Sequence, residues 1–275
     1  MKRKIFLLLP CLFILSISSS SWADHFDGFD ISDATSVDEA VAEIKETLLD
    51  QNFEITAVIN HGQNAANVGL ELRPTQVVMF RKLFFDATLI RRRQTAAIDI
   101  PLKILVYEDE FENIKLKYND AGYLADRHEI RIRDFVLHRL DVRMDQFGLN
   151  DKGIIMVPSN QSVADTVVKL RTVLTDAGFF IPIQIDFHEE IRRLRDTTLL
   201  IFGNPNVGTQ LMQNRQEIGL DLPQKYLIFE NDGQVNIAYN DPHFIAQRAG
   251  IQGLETLLDN IANALNNFAN QGANP

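Results

Sequence analysis

Cysteine is almost absent from this sequence. Cys11 is the one cysteine, and it lies in an apolar stretch close to the N-terminus. A chain cleaved after this stretch can form no disulfide and offers no thiol nucleophile. Such a chain must be stable through its apolar core, and two halves of roughly 120 residues each are long enough to bury one.

Long hydrophobic runs are also scarce, and the clearest of them begins the chain. Lys2, Arg3 and Lys4 precede the apolar residues 5–17, and a serine-rich stretch then ends at Ala23. This order predicts a secretory signal peptide over residues 1–23. The apolar run is shorter than the roughly 20 residues that a membrane-spanning helix needs. We therefore expect export without a stable membrane span after cleavage, to the periplasm or, alternatively, to the extracellular space.

Positive charge is in deficit. The chain has 27 lysines and arginines against 37 aspartates and glutamates, a net charge of −10. Loss of the three basic residues of the signal peptide would bring this to about −13. Phosphate binding needs a concentrated basic surface, so nucleic acid is excluded as an expected partner. The one basic cluster, residues 91–93, is typical of a solvated helix face.

The usual catalytic and cofactor motifs are missing. No serine lies in a Gly-x-Ser-x-Gly elbow, and none of the six histidines are spaced as paired metal ligands on one helix or strand. Residues 203–209 resemble a phosphate-binding loop but lack its lysine. The sequence therefore predicts no catalytic residue, no metal and no cofactor.

The chain repeats itself. Residues 99–108, DIPLKILVYE, return as DLPQKYLIFE at 221–230, and Tyr-Asn-Asp at 118–120 returns at 239–241. This duplication predicts a first, diverged domain over residues 24–150 and a second domain over residues 151–275.

Each repeat shows the same element pattern. Ser36 and Ser162 each precede an apolar stripe of helical period, which predicts a capped helix. Segments with alternating apolar residues follow and predict strands. A tight turn at Asp232 and Gly233 joins two adjacent strands, which must then be antiparallel. We expect an α+β fold, with a mainly antiparallel sheet and helices on one side in each repeat. The last helices are predicted at about residues 253–270 and, in the first repeat, at 134–146.

Four spaced motifs identify a family. They are FGNP at 202–205, GTQLM at 208–212, IGLDLP at 218–223 and YNDP at 239–242. Together they resemble the bacterial family called domain of unknown function 302, and the second repeat is the closer match. The resemblance implies a fold similar to the TATA-binding-protein-like α+β class. The family name assigns no activity.

The segment with Gly203, Asn204, Pro205, Gly208 and Thr209 is the first candidate site. One interpretation is a strand-to-helix turn in which Thr209 caps the helix. The other is a small-anion site at the backbone amides of the helix N-terminus.

Six further residues complete the candidate set. Asp186 could orient His188 for acid–base chemistry or ligation, although a polar histidine at the rim explains the pair more simply. We expect Asp221 and Lys225 to form a salt bridge or a turn contact. Tyr239 is expected to pack with its hydroxyl near water, beside Asn240.

The sequence thus favours a non-catalytic module of the cell envelope that binds a small molecule, an anionic ligand or a protein. We expect it to act as a homodimer or through a contact between its two repeats. Two alternatives stay open. One is an enzyme with a site in the second repeat around His188 and residues 203–209, and the other is a purely structural or scaffolding protein.

Overall fold

The computed structural model describes residue 31, residues 33–130 and residues 152–275. The predicted signal peptide, the segment at 24–30 and the helix predicted at 134–146 lie outside the described residues.

The first repeat alternates helices and strands. Its elements are α1 Val37–Asp50, β1 Glu54–Asn60, α2 His61–Asn67, β2 Thr75–Arg81, α3 Leu83–Arg92, a 3₁₀ helix at Gln94–Asp99, β3 Leu102–Glu108, β4 Ile114–Tyr118 and α4 Ala121–Arg127.

The second repeat follows the same order and adds a strand at its start and a helix at its end. Its elements are β5 Ile154–Ser159, α5 Val163–Asp176, β6 Phe180–Asp186, α6 Phe187–Glu190, β7 Thr197–Gly203, α7 Pro205–Asn214, a 3₁₀ helix at Gln216–Leu220, β8 Gln224–Asn231, β9 Gln234–Asn240, α8 Pro242–Ala249 and α9 Glu255–Ala273.

Both sheets are antiparallel, which confirms the predicted α+β class. The described strands order as β1-β2-β3-β4 in the first repeat and β5-β9-β8-β7-β6 in the second. The predicted two-residue turn joins β8 to β9, with Asp232 and Gly233 at φ of 51° and 84°. Both angles are positive, as this type of hairpin turn requires.

Side-chain caps fix where the helices begin. Ser36 and Ser162 accept hydrogen bonds from the third amide of α1 and α5, as predicted. Asp120 does the same for α4, and Asp241 accepts from His243, the second residue of α8. The aspartate of each Tyr-Asn-Asp motif is therefore a helix cap. Gly250 ends α8 in the left-handed conformation, as its position predicted.

The protein has four layers, with helices outside and the two sheets face to face inside. One face of the first sheet packs on α1, and one face of the second sheet packs on α5 and α9. The other faces share one apolar core, in which Val77 and Leu105 of the first repeat join Leu199 and Leu227 of the second. The central strands β2 and β7 are consequently buried on both faces.

Two glutamines tie the sheets together in a reciprocal manner. Gln216 donates to the Thr75 hydroxyl of the first repeat at 2.8 Å, and Gln94 donates to the Thr197 hydroxyl of the second at 3.0 Å. Arg73 also donates two hydrogen bonds to the Gln216 side-chain oxygen. The 3₁₀ helix of each repeat thus anchors the sheet of the other.

We expect Gln216→Ala to lower the free energy of unfolding by about 2 kcal/mol, because it leaves buried hydrogen-bonding groups without their partner. Gln210→Ala is the matched control, since Gln210 is exposed and lies on α7 of the same repeat. Urea unfolding measures both. Equal effects of the two substitutions would contradict the role given to Gln216.

Candidate functional site

A cavity of about 440 Å³ lies between the two repeats. Its walls come from β1 and α2 of the first repeat and from β6, α7 and α9 of the second. Ligand pockets commonly have volumes of roughly 300–1,000 Å³. Exposed residues at the edge, among them Asn60, Phe180 and Asn260, surround a deeper wall of buried side chains.

The predicted segment 203–209 forms one wall of this cavity, but its local structure differs from the prediction. Gly203 ends β7, and Asn204 caps α7, which begins at Pro205. Thr209 therefore lies inside the helix, and the prediction that it caps the helix is wrong. Asn204 is the better cap because its side chain accepts from the Asn206 amide, with proline at the first helical position.

The anion-site interpretation meets an obstacle at the same place. Asn204 accepts hydrogen bonds from three amides of the first turn, through its side chain from Asn206 and through its carbonyl from Val207 and Gly208. These amides already have partners, and Pro205 has no amide hydrogen to donate.

Gly203 and Gly208 affect the size of the cavity because they have no side chain. Neither has the positive φ that favours glycine. A glycine inside a helix costs about 1 kcal/mol relative to alanine, yet Gly208 lies within α7. A Cβ at Gly208 would meet only Leu222 and Met212, at 3.6 and 4.0 Å. The two glycines leave open space that side chains would fill.

His61, the first residue of α2, lines the cavity from the first repeat. Its side chain is buried, and burial lowers its pKa to about 4, against a weaker opposing effect from a hydrogen bond to the Gly219 backbone. The Nε2 atom has no hydrogen-bond partner among the described residues. The ring is therefore neutral near pH 7 and presents one unused polar atom.

Two further lining residues carry buried polar atoms without partners among the described residues. They are Thr209, through Oγ1, and Gln224, through Oε1. A buried polar atom left unpaired costs roughly 1–3 kcal/mol. All three atoms lie behind the cavity surface with almost no exposed area, as do six other unpaired polar atoms among the described residues.

The equivalent position on the other side of the molecule is filled. Because α3 and α7 have equal lengths after equivalent strands, Arg81 and Asp86 correspond to Gly203 and Gly208. Arg81 binds Asp86 at 2.8 Å and Glu190 at 2.5 Å. Burial raises the pKa of Asp86 to about 6, although the Arg81 charge opposes the rise. An ion triad therefore occupies the space that the glycines leave open.

Strand register shows which residue of the second repeat corresponds to His61. Asn60 pairs with Gln76, and Asp186 pairs with Thr198, at equivalent positions of β2 and β7. His61 therefore corresponds to Phe187, whose ring lies 5.4 Å from the Arg81 guanidinium. His188 corresponds to a glycine.

Asp186 and His188 do not line the cavity. Asp186 accepts from the Thr198 hydroxyl at 2.7 Å, and His188 contacts the backbone of Thr197. Gly203 pairs with Phe180 at the opposite end of the β6–β7 pair. Six residues of strand separate these ends by about 20 Å, so the structure does not assemble an enzyme site that combines His188 with residues 203–209.

Asp221 and Asn240 belong to a buried network between the repeats. Arg127 of α4 binds Asp99 at 2.9 Å and donates to the Asn240 side-chain oxygen at 2.7 Å. Arg248 of α8 is its counterpart, and it binds Asp221 at 3.1 Å. The predicted salt bridge between aspartate and lysine is therefore wrong, because each aspartate forms its ion pair with an arginine.

Each of the two arginines also binds an asparagine of the opposite repeat. Arg248 donates to the Asn119 side-chain oxygen of the first repeat, as Arg127 does to Asn240 of the second. Burial alone would raise the pKa of Asp99, but the Arg127 charge holds it well below its ordinary value. Each asparagine of the two Tyr-Asn-Asp motifs thus binds the opposite repeat.

Lys103 and Lys225 lie buried in the same network. Burial lowers the pKa of both, and the two amines interact with each other. No other described group hydrogen-bonds to either Nζ. The pair is a buried part of the interface and does not line the cavity.

Tyr239 also departs from its prediction. Its side chain is buried in the core of the second repeat, where its ring meets Tyr226 edge-on at 5.5 Å. Burial and the nearby Asp241 raise its pKa to about 12. The hydroxyl is therefore away from water, because β9 is an inner strand of the sheet covered by α5 and α9.

The sequence-based set missed three important residues: His61, Arg127 and Arg248. A signal for the arginines was present, since each lies seven residues after the aspartate of Tyr-Asn-Asp. His61 gave no comparable signal, because its cavity is built from the other repeat. Among the described residues, no group of histidine, cysteine, aspartate and glutamate could hold a metal ion.

We expect the stability contributed by His61 to depend on pH. Its pKa is 6.5 in the unfolded chain and about 4 in the folded protein. Between these values the unfolded chain binds the proton, so stability falls by about 3 kcal/mol as pH drops from 6.5 to 4. Urea unfolding across this range should show a smaller fall in His61→Phe.

The control is Gln210→Ala, at an exposed position on α7. It should retain the pH dependence of the unsubstituted protein. If His61→Phe retains it as well, His61 is not buried in its neutral form.

Comparison with known proteins places the chain in a family. The family model described as domain of unknown function DUF302 matches residues 30–147 and again residues 155–271. A crystal structure of an uncharacterized conserved DUF302 protein from Bacillus stearothermophilus is similar, with a TM-score of 0.41 and 17% identity. The match covers 43% of this chain and 97% of that one.

Curated relatives match over a shorter part. The proteins named fluoride-specific ion channel FluC 1 of Brucella suis and FluC 2 of Brucella melitensis are each 38% identical over 136 residues. This is 46% of the present chain and 52% and 49% of theirs, so the chain spans about half the length of these relatives. In the part that the structure describes, no helix has the length and apolar character needed to cross a membrane. The two family matches together cover most of the sequence, and the chain therefore belongs to the DUF302 family, with two tandem copies of its domain.

Proposed function

We propose that this protein is a non-catalytic binding protein of the cell envelope that holds a small molecule in the cavity between its repeats. The observation that carries the proposal is the difference between two equivalent positions. On one side, Arg81, Asp86 and Glu190 fill the space, and on the other, Gly203 and Gly208 leave it open.

The size and lining of the open side support binding. The cavity has a volume of about 440 Å³, within the range of ligand pockets, and both repeats contribute to its mostly apolar wall.

Export rests on the signal-peptide pattern of residues 1–23. A ligand taken from the organism's own envelope is therefore the relevant one.

Native mass spectrometry of the mature protein, purified from that envelope, tests the proposal. We expect a bound mass that denaturation releases. Gly208→Leu should remove it, because the new side chain enters the cavity from a helix that leucine suits better than glycine. Gln210→Leu is the matched control, with the same side chain on an exposed position of the same helix, and should keep the ligand.

A second variant introduces the ion triad on the open side, with Gly203→Arg, Gly208→Asp and Asn64→Glu. Asn64 lines the cavity at the position that corresponds to Glu190. It should also lack the bound mass, and circular dichroism verifies that each variant is folded. A protein without any bound mass across several growth conditions would favour the structural alternative. A ligand that survives in both folded variants would place binding elsewhere.

A further inference from the structure

The cavity wall carries no formal charge. Although 23% of the residues in the chain are charged, none of the described residues that line the cavity is aspartate, glutamate, lysine or arginine. Most of the wall is apolar, with Phe179, Leu211 and Leu265 among the contributing side chains. A charged ligand group inside would lose its hydration without gaining an ionic partner, which is strongly unfavourable.

Among the described residues of the wall, His61 is the one titratable side chain, and it does not supply a charge near neutral pH. His61 stays neutral because burial lowers its pKa to about 4. The helix N-terminus offers no substitute, since Asn204 already accepts from the amides of the first turn. The described part of the wall therefore has no group that would compensate a carboxylate or a phosphate.

The polar side chains of the wall are uncharged, and two of them, Asn60 and Asn260, are exposed at its edge. A side-chain amide both donates and accepts hydrogen bonds. A neutral polar group of the ligand therefore finds partners at the edge of the cavity.

We infer that the cavity takes an uncharged, mainly apolar molecule whose neutral polar group, such as a hydroxyl, is directed toward the exposed edge. This inference rests on the proposed function and names the chemical class of its ligand. It excludes free carboxylates, phosphates and amines from the cavity.

Two fluorescent probes test the class, because they share one ring system and differ by one charged group. N-phenyl-1-naphthylamine is neutral, and 8-anilino-1-naphthalenesulfonate adds a sulfonate. We expect the neutral probe to bind the ligand-free mature protein with one site per chain. The sulfonate should bind about tenfold more weakly or worse. Gly208→Leu should abolish binding of the neutral probe, and Gln210→Leu should retain it.

Displacement of the neutral probe by three ten-carbon compounds distinguishes selection by the cavity from the electrostatic effect of the protein's net charge. The net charge of −10 repels anions and attracts cations. We nevertheless expect 1-decanol to displace the probe at concentrations about tenfold lower than either decanoate or decylammonium at pH 7. Equal displacement by either ion would overturn the inference.

The failure of this inference is distinguishable from the failure of the proposed function. A charged ligand found by mass spectrometry, and lost in Gly208→Leu, would refute the ligand class while leaving a binding function in the cavity. A protein that carries no ligand and binds neither probe would refute both.

Discussion

The structure depends on one reciprocal interaction at the centre of the molecule. Arg127 binds Asp99 of its own repeat and Asn240 of the other, all within the buried interface. Arg248, its counterpart in the second repeat, binds Asp221 of its own repeat and Asn119 of the first. A buried guanidinium is tolerated only where its donors are satisfied. Neither repeat alone can satisfy its arginine, so each requires the other.

This mutual requirement explains which parts of the two repeats are alike and which parts differ. The shared core and the buried network constrain equivalent residues in both repeats. The positions at the ends of β2 and β7 are less constrained, because either an ion triad or a cavity can occupy them. Arg81 and Asp86 stabilise one side through contacts, whereas the glycines of the other side leave space for a ligand.

Local structure could be predicted from the sequence, and contacts between distant segments could not. The serine caps, the hairpin turn and the tandem order follow from residues close together in the chain, and the structure confirms them. The same local rules wrongly predicted Thr209 as the helix cap. Asn204 followed by Pro205 is the stronger signal for the start of α7. His61 was missed since its surroundings come from α7, more than 140 residues away.

The aspartates show the same limit. Asp99 and Asp221 lie four residues before a lysine, which suggested a local pair, but the arginines of α4 and α8 reach them through the fold. The candidate segment 203–209 lines the cavity, while its expected partner His188 lies at the other end of β6.

Differential scanning calorimetry of the mature chain tests the central claim, that the two repeats form one folding unit. The account predicts a single transition whose calorimetric and van't Hoff enthalpies agree, because the interface shares one core and one buried ion network. Two separate transitions, with one repeat remaining folded while the other melts, would contradict it.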